Sequence, residues 1–178
     1  GGGSFLWTVA DRAMSLGFPP DIISTDIHAS SILSTQSDMP NCMSKMMTLG
    51  MELKEIIYRS TVTPARAVRR FPEIGTLGDG READVAVLEI EEGVFAYHDA
   101  WEKKRLGTRR IVNLLTIRAG EIVYDRDGRA FADWGNTRGS ASVPPLEPTK
   151  QPTGPSGVVA TADPIYDLLL KNGIVIDP

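Results

Sequence analysis

The sequence is poor in the residues that carry cross-linking and catalysis, since its 178 residues include one cysteine and two histidines. A single cysteine excludes an intramolecular disulfide and a Cys-x-x-Cys zinc site, and we expect Cys42 to be a small, buried or half-buried apolar residue rather than a reactive thiol. A chain without disulfides fits the cytoplasm. Apolar runs are also short. None reaches the roughly 18 residues of a membrane-spanning helix, so we expect no membrane partner.

Positive charge is not in excess, because 19 lysines and arginines stand against 23 acidic residues, for a formal net charge of -4. Nucleic-acid-binding domains carry a basic face, so we expect no nucleic-acid partner. The short basic clusters Lys103–Arg105 and Arg109–Arg110 lie among acidic neighbours and are interpreted as solvated surface. The sequence also contains neither a phosphate-binding GxxxxGK[ST] loop nor an HExxH helix.

What is present is typical of a folded globular protein, with 42% hydrophobic and 24% charged residues. Gly1–Ser4 does not resemble a signal peptide. The sequence does not begin with methionine, and we expect a segment of a longer protein.

Helical spacing of apolar residues predicts a helix over Phe5–Gly17, with Ser4 as its N-cap and Gly17 as its end. After two prolines, the run Asp21–His28 is rich in β-branched residues and predicts a short buried strand. A helix, a short loop and a buried strand are typical of a fold built from βα units.

Two further helices are predicted before residue 70. Asp38 is expected to cap a helix from Met39 to about Tyr58, whose methionines face a core rather than an adaptable binding surface. Thr63 is expected to be the N-cap of a second, short helix that has proline in its first turn.

The second half of the sequence is β-rich. Strands are predicted over Ala83–Ile90, Arg110–Ile117 and Ile122–Tyr124, the last two joined by a hairpin turn at Ala119-Gly120. Beyond them, a Gly-, Ser- and Pro-rich stretch has too little to bury and predicts a flexible linker.

Few side chains are candidates for chemistry. Asp26 stands at the end of the predicted buried strand, and His28 would share its face of that strand. Enzymes built from βα units place active residues at such strand ends. A turn-forming or helix-capping aspartate is the alternative, and it stays open on pattern alone. We expect His98 to lie on the surface or between strands.

Four stretches of the sequence resemble the amidohydrolase superfamily, in particular its amidohydrolase/deacetylase branch related to dihydroorotases. They are GGGSF with the following GFPPDIISTDIH, the Met-rich helix with TPARAV, IGTLGDGREADVAVLEI, and YDLLLKNGIVIDP. The first three stand in family order, whereas the fourth resembles the family's N-terminal strands. A fragment, a tandem fusion of two copies or a permuted order of segments would each give this arrangement. The resemblance implies an α/β fold, namely the C-terminal fragment of a TIM-type (β/α)8 barrel with a small β-sandwich accessory domain.

The resemblance and the composition together predict four parts of the chain. They are the last βα units of a metal-dependent hydrolase barrel over 1–75, the accessory β-sandwich over 76–135, the flexible linker over 136–164, and a β-hairpin over 165–178. The segment Tyr166–Asp177 is expected to pair with the sheet built from Ala83–Tyr124.

The resemblance also implies a site and a reaction. Asp26 matches the family's strand-eight aspartate, which is a metal ligand and the general base, and Ser4 and His28 are expected to contact the substrate. Family members hydrolyse amide or ester bonds, with one or two divalent ions, usually zinc. The substrate class implied is small acylated amino or hydroxy acids, or cyclic amides.

The departures from the family pattern concern the metal. The sequence has no HxH pair, no recognisable strand-four lysine and no further histidine ligands. We therefore expect the isolated chain to be inactive, and to need the missing barrel portion or a homo-oligomer as a partner. The missing ligands also motivate an alternative, which is a non-catalytic, β-rich binding or structural module.

Overall fold

A computed structural model describes residues 4–29, 31–32, 38–69 and 74–132. Four helices precede three strands within these ranges: α1 Trp7–Ser15, α2 Met39–Thr48, α3 Leu53–Ser60, α4 Val62–Val68, β1 Val85–His98, β2 Lys104–Arg118 and β3 Glu121–Asp125. The predicted linker and terminal hairpin lie outside the described residues. None of the described helices has the length and apolar character needed to cross a membrane.

The first helix ends as predicted but begins later. Gly17 has a φ of 78°, and the amide of Phe18 reaches back to the carbonyl of Ala13 at 2.9 Å. This left-handed turn closes the helix in a way that glycine allows at low cost. The predicted N-cap is wrong, because Leu6 occupies that position and the Ser4 hydroxyl bonds elsewhere.

The Met-rich segment forms two helices instead of the single one predicted to Tyr58. Its start is confirmed, since Asp38 accepts a hydrogen bond from the amide of Asn41 at 2.7 Å. It breaks at Gly50, which has a φ of 89°, while the amide of Met51 bonds the carbonyl of Met46 at 3.1 Å. The apolar residues keep their helical spacing across Gly50, so the spacing alone does not reveal the turn that this glycine forms.

The last helix begins one residue before the predicted N-cap. Thr61 stands at the N-cap position of α4, so the prediction for Thr63 is wrong. The Thr63 hydroxyl donates instead to the carbonyl of Asp21 at 2.8 Å, which attaches α4 to the segment that precedes Asp26.

The predicted strand Asp21–His28 is also wrong, since the structure assigns no strand there. A strand in a barrel forms its main-chain hydrogen bonds with parallel neighbouring strands, and the described residues contain no such strand beside this segment. The end of α3 holds it instead. The amide of Ile23 donates to the carbonyl of Arg59 at 2.9 Å, and the Arg59 guanidinium donates to the carbonyl of Pro20 at 2.8 Å.

The three strands form one antiparallel sheet in the order β1-β2-β3. The predicted turn between the last two is confirmed, because Ala119 and Gly120 have φ values of 49° and 84° and so form a two-residue turn of type I′. His98 is exposed at the end of β1, as expected. A second sheet, which a sandwich needs, is not present among the described residues.

The hydrophobic core lies where α2 packs on β2. The expected burial of Cys42 and of the methionine face is confirmed, because Cys42, Met43 and Met47 are all in this core. The other buried members are Ile23, Met51, Ile56 and Ile111. Side chains from both sides of residue 75 therefore share one core, and the predicted domain boundary stays a prediction.

Gly107 on β2 allows the closest approach between helix and sheet. A Cβ atom there would lie 2.7 Å from the Thr48 hydroxyl of α2 and 2.8 Å from the Tyr97 ring of β1. The Tyr97 ring cannot move freely, because it is buried and its hydroxyl donates to the carbonyl of Arg109 at 2.8 Å. The absence of a side chain at Gly107 thus sets how closely α2 packs on the sheet.

We expect Gly107→Ala to lower the free energy of unfolding by about 1–3 kcal/mol, the usual cost of overpacking a core by one methyl group. Urea denaturation followed by circular dichroism measures this change. Gly78→Ala is the matched control, because a Cβ at Gly78 meets only ordinary contacts, the nearest at 3.7 Å. Equal stability of the two variants would contradict the close approach.

Candidate active site

A cleft of about 370 Å³ opens where the N-terminal segment, residues 20–26 and α2 meet. Its polar side chains include Ser4, Ser24, Asp26 and Lys45. Its apolar wall includes Phe5, Ile22 and Met46. A cleft of this size fits a small molecule that carries both apolar and charged groups.

Two of the three predicted site residues meet at this cleft. The Ser4 hydroxyl donates to Oδ2 of Asp26 at 3.0 Å, and both side chains line the cavity. Among the described residues no donor bonds Oδ1 of Asp26. The carboxylate is thus oriented by one hydrogen bond and keeps a second oxygen as an acceptor.

Asp26 has a φ of 53°, in the left-handed region. Aspartate and asparagine tolerate this conformation better than most residues, because their short polar side chains bond the local main chain. The carbonyl of Asp26 is held by the ring Nδ1 of His28 at 2.8 Å and by the Ser31 hydroxyl at 3.4 Å. The turn that presents the carboxylate is therefore built from its own neighbours.

His28 is not among the residues that line the cleft. Its Nδ1 must carry a hydrogen to bond the Asp26 carbonyl, since a carbonyl oxygen only accepts. In the neutral ring, Nε2 is then an acceptor on an exposed side chain. The structure supports a role for His28 in shaping the turn, and its contact with a substrate stays a prediction.

Buried anchors fix the N-terminal segment that carries Ser4. The Trp7 indole N–H donates to the carbonyl of Lys103 at 3.2 Å, and the amide of Ala100 donates to the carbonyl of Phe5 at 2.8 Å. The turn between β1 and β2 thereby holds the segment in place. Asp99 organises this turn by accepting amide hydrogen bonds from Trp101 and Lys103 at 2.9 and 2.8 Å.

Lys45 is the site residue that the sequence analysis missed. It is 3% exposed and lines the cleft, with Nζ 5.2 Å from the centre of the Phe5 ring. Burial lowers the pKa of its ammonium, and nearby Cys42 and Asp99 act in the opposite direction. One signal was available, since Lys45 is the single charged residue of α2 and such a helix is buried on most of its surface.

The described residues do not form a complete metal centre. Within the described ranges, no three His, Cys, Asp or Glu side chains come close enough to hold an ion. Asp26 meets a serine hydroxyl instead of a second carboxylate or an imidazole. Catalytic zinc takes three protein ligands and a water, so the side chains in this cleft do not fit such an ion by themselves.

Comparison with known proteins agrees with the resemblance seen in the sequence. The sequence profile of the Amidohydrolase family matches residues 8–123. Deacetylase Atu3266 from Agrobacterium fabrum is 33% identical over 90 residues, which are 51% of this chain and 22% of the relative. A deacetylase from Enterococcus faecalis is 30% identical over 123 residues, which are 68% of this chain and 33% of the relative.

Two solved structures share the fold of the described part. An adenine deaminase matches with a TM-score of 0.63 and 29% identity, over 70% of this chain and 34% of that chain. A dihydroorotase matches with a TM-score of 0.59 and 25% identity, over 68% of this chain and 33% of that chain. This chain therefore spans about a third or less of the length of each of these proteins.

The match covers well over half of the sequence, so this chain belongs to the Amidohydrolase family. Its fold matches part of an adenine deaminase and of a dihydroorotase, and its relatives include deacetylases. The resemblance stated from the sequence is confirmed, and the family is one of hydrolases.

Asp99 should make stability depend on pH. Burial by itself raises the pKa of this carboxyl, but the amides of Lys103, Trp101 and Trp7 together hold the pKa below its usual value. The ionised form therefore stabilises the fold above the unfolded pKa, and this stabilisation is lost as pH falls through the folded pKa.

Asp99→Asn should accordingly cost more stability near neutral pH than at acid pH, because the advantage of the ionised wild-type carboxyl shrinks as pH falls below its unfolded pKa. Urea unfolding at the two pH values, followed by tryptophan fluorescence, measures the difference. Asp79→Asn, on an exposed turn, should show no such dependence. A cost for Asp99→Asn that does not change with pH would contradict the assignment.

Proposed function

We propose that this chain supplies the general base and part of the substrate pocket of a hydrolase that cleaves amide or ester bonds in small acylated molecules. The observation that carries the proposal is the Asp26 carboxylate, oriented by Ser4 in a cleft with an apolar wall. Membership of a hydrolase family and similarity to proteins named deacetylases support it.

Asp26 acts on protons. As the oxygen of a water molecule attacks the acyl carbon, the carboxylate takes a proton from that water. It then gives the proton to the nitrogen or oxygen that leaves when the acyl bond breaks. The Ser4 hydrogen bond to Oδ2 orients the carboxylate for this task. The apolar wall of the cleft holds the carbon part of the substrate and limits access of further water.

The complete enzyme is proposed to be metal-dependent, with one or two divalent ions, zinc being the candidate. Asp26 is the one ligand that we assign to this chain. The other ligands would come from the portion of the related proteins that this chain does not span. The same portion would supply the remaining strands of a TIM-type barrel and the rest of a β-sandwich. In this proposal the missing barrel portion, or another copy of the chain, is the partner, and the cytoplasm is the location.

The alternative is a non-catalytic binding or structural module. Large apolar side chains on the described surface favour it, since Phe18, Trp101 and Phe131 are each more than 70% exposed. Apolar patches of this kind mark surfaces that other chains cover. The same exposure is expected of an enzyme fragment, and so activity after reassembly separates the two candidates.

Asp26→Asn should lower kcat of the completed enzyme by about 100-fold to 10,000-fold, the usual contribution of a general base. Asparagine also tolerates the left-handed conformation, so this variant removes the charge and keeps the turn. Asp21→Asn is the matched control, because the Asp21 side chain is fully exposed and its one ion pair, to Arg59, spans 3.7 Å. Near-normal kcat for Asp26→Asn would remove Asp26 from the reaction.

We expect the isolated chain neither to bind stoichiometric zinc nor to hydrolyse N-acetyl amino acids, because one carboxylate cannot hold a catalytic ion. Zinc titration by calorimetry and an amine-release assay measure both properties. Mixing with a separately produced barrel portion of the family should restore zinc-dependent hydrolysis. No activity under any of these conditions would favour the non-catalytic module.

A further inference from the structure

The ammonium of Lys45 is an unusual group to find in this cleft, because it is buried and forms no ion pair with any described carboxylate. Among the described residues no acceptor lies within hydrogen-bond distance of Nζ, and no carboxylate forms an ion pair with it. The centre of the Phe5 ring lies 5.2 Å from Nζ, and Cys42 and Asp99 are near enough to favour its charged form. A buried charge without a bonded counter-charge is costly, and this favours an anionic ligand that binds beside it.

Lys45 and Asp26 line the same cleft without pairing with each other. The cavity therefore has a positive and a negative group on its wall, together with apolar side chains such as Ile22 and Met46. An anionic ligand would be attracted to Lys45 and repelled from Asp26, which fixes the direction in which it enters. The acyl carbonyl would then lie toward Asp26.

We propose that Lys45 binds the carboxylate of the substrate, and so selects acylated amino or hydroxy acids over their neutral amides and esters. This inference rests on the proposed function, since it names the substrate class of the same cleft. The ammonium donates charge-assisted hydrogen bonds to the carboxylate, while the face of the Phe5 ring stabilises the ammonium from another side. The volume of about 370 Å³ suits a molecule of this size.

Binding to the full chain tests this directly, without metal or turnover. N-acetylalanine and N-acetylalaninamide differ by one charge, and NMR titration gives a Kd for each. We expect the acid to bind about 10-fold to 100-fold more tightly than the amide, the range for a hydrogen bond to a charged group. The acid should also raise the pKa of Lys45 toward its usual value, since it supplies the missing counter-charge.

Lys45→Met should abolish the preference for the acid, because methionine keeps an apolar stem of similar length and removes the charge. The same variant should be at least as stable as wild type, since it removes a buried, unpaired ammonium. A residue with a purely structural role would instead lose stability on replacement. Lys54→Met, on the exposed face of α3, is the control and should change neither property. If Lys45→Met does not fold, Lys45→Gln replaces it.

Equal binding of the acid and the amide would overturn the inference, and so would an unchanged Lys45 pKa at the solubility limit of the acid. These outcomes are distinct from a failure of the proposed function. A completed enzyme that hydrolyses acylated molecules while this chain shows no preference refutes only the role of Lys45. A chain that prefers the acid while the completed enzyme is inactive refutes only the hydrolase.

Discussion

One buried hydroxyl joins the helical part of the chain to the sheet, and the cleft depends on that junction. Ser44 is 0% exposed, accepts a hydrogen bond from the amide of Ile111 at 2.9 Å and donates to the carbonyl of Pro40 at 2.6 Å. β3 pairs only with the end of β2, from Leu115 to Arg118. The amide of Ile111 lies outside that pairing and bonds the Ser44 hydroxyl of α2 instead. A buried amide without an acceptor costs about 1–3 kcal/mol. With Ser44 toward the sheet, helix geometry turns Lys45 about 100° around α2, toward the cleft.

Hydrogen bonds also hold the other two segments of the cleft in place. Trp7 and its neighbours are held by the turn around Asp99, and this places Ser4 beside Asp26. The segment that leads to Asp26 is held by bonds from Arg59 and Thr63 to its carbonyls. In each segment the structural hydrogen bonds are made by groups other than the Asp26 carboxylate and the Lys45 ammonium, which both line the cleft. The fold and the chemistry of the site thus rest on different atoms.

The sequence predicts the local elements well and the tertiary ones poorly, for physical reasons. Helix ends at Gly17 and the turn at Ala119-Gly120 follow from backbone sterics, which a few adjacent residues determine. The supposed strand over Asp21–His28 depends on neighbours in a barrel, and its apolar residues cannot report whether those neighbours are present. The place of Asp26 at the end of the predicted strand makes it a candidate, and the family resemblance implies its role. Lys45 is harder to predict: its isolation as the single charged residue of α2 is visible in the sequence, but its burial beside the cleft is a property of the assembled fold.

The two ends of the cleft differ in how their charges are stabilised, and this difference has a functional meaning. Asp26 has the Ser4 hydroxyl and an exposed position, so its charge is supported before any ligand binds. Lys45 has an aromatic face and a buried position, so its charge is supported poorly until an anion arrives. A group with unfavourable solvation in the free protein discriminates strongly between a ligand that neutralises it and one that does not. In our proposal, selectivity therefore comes from Lys45 and proton transfer from Asp26.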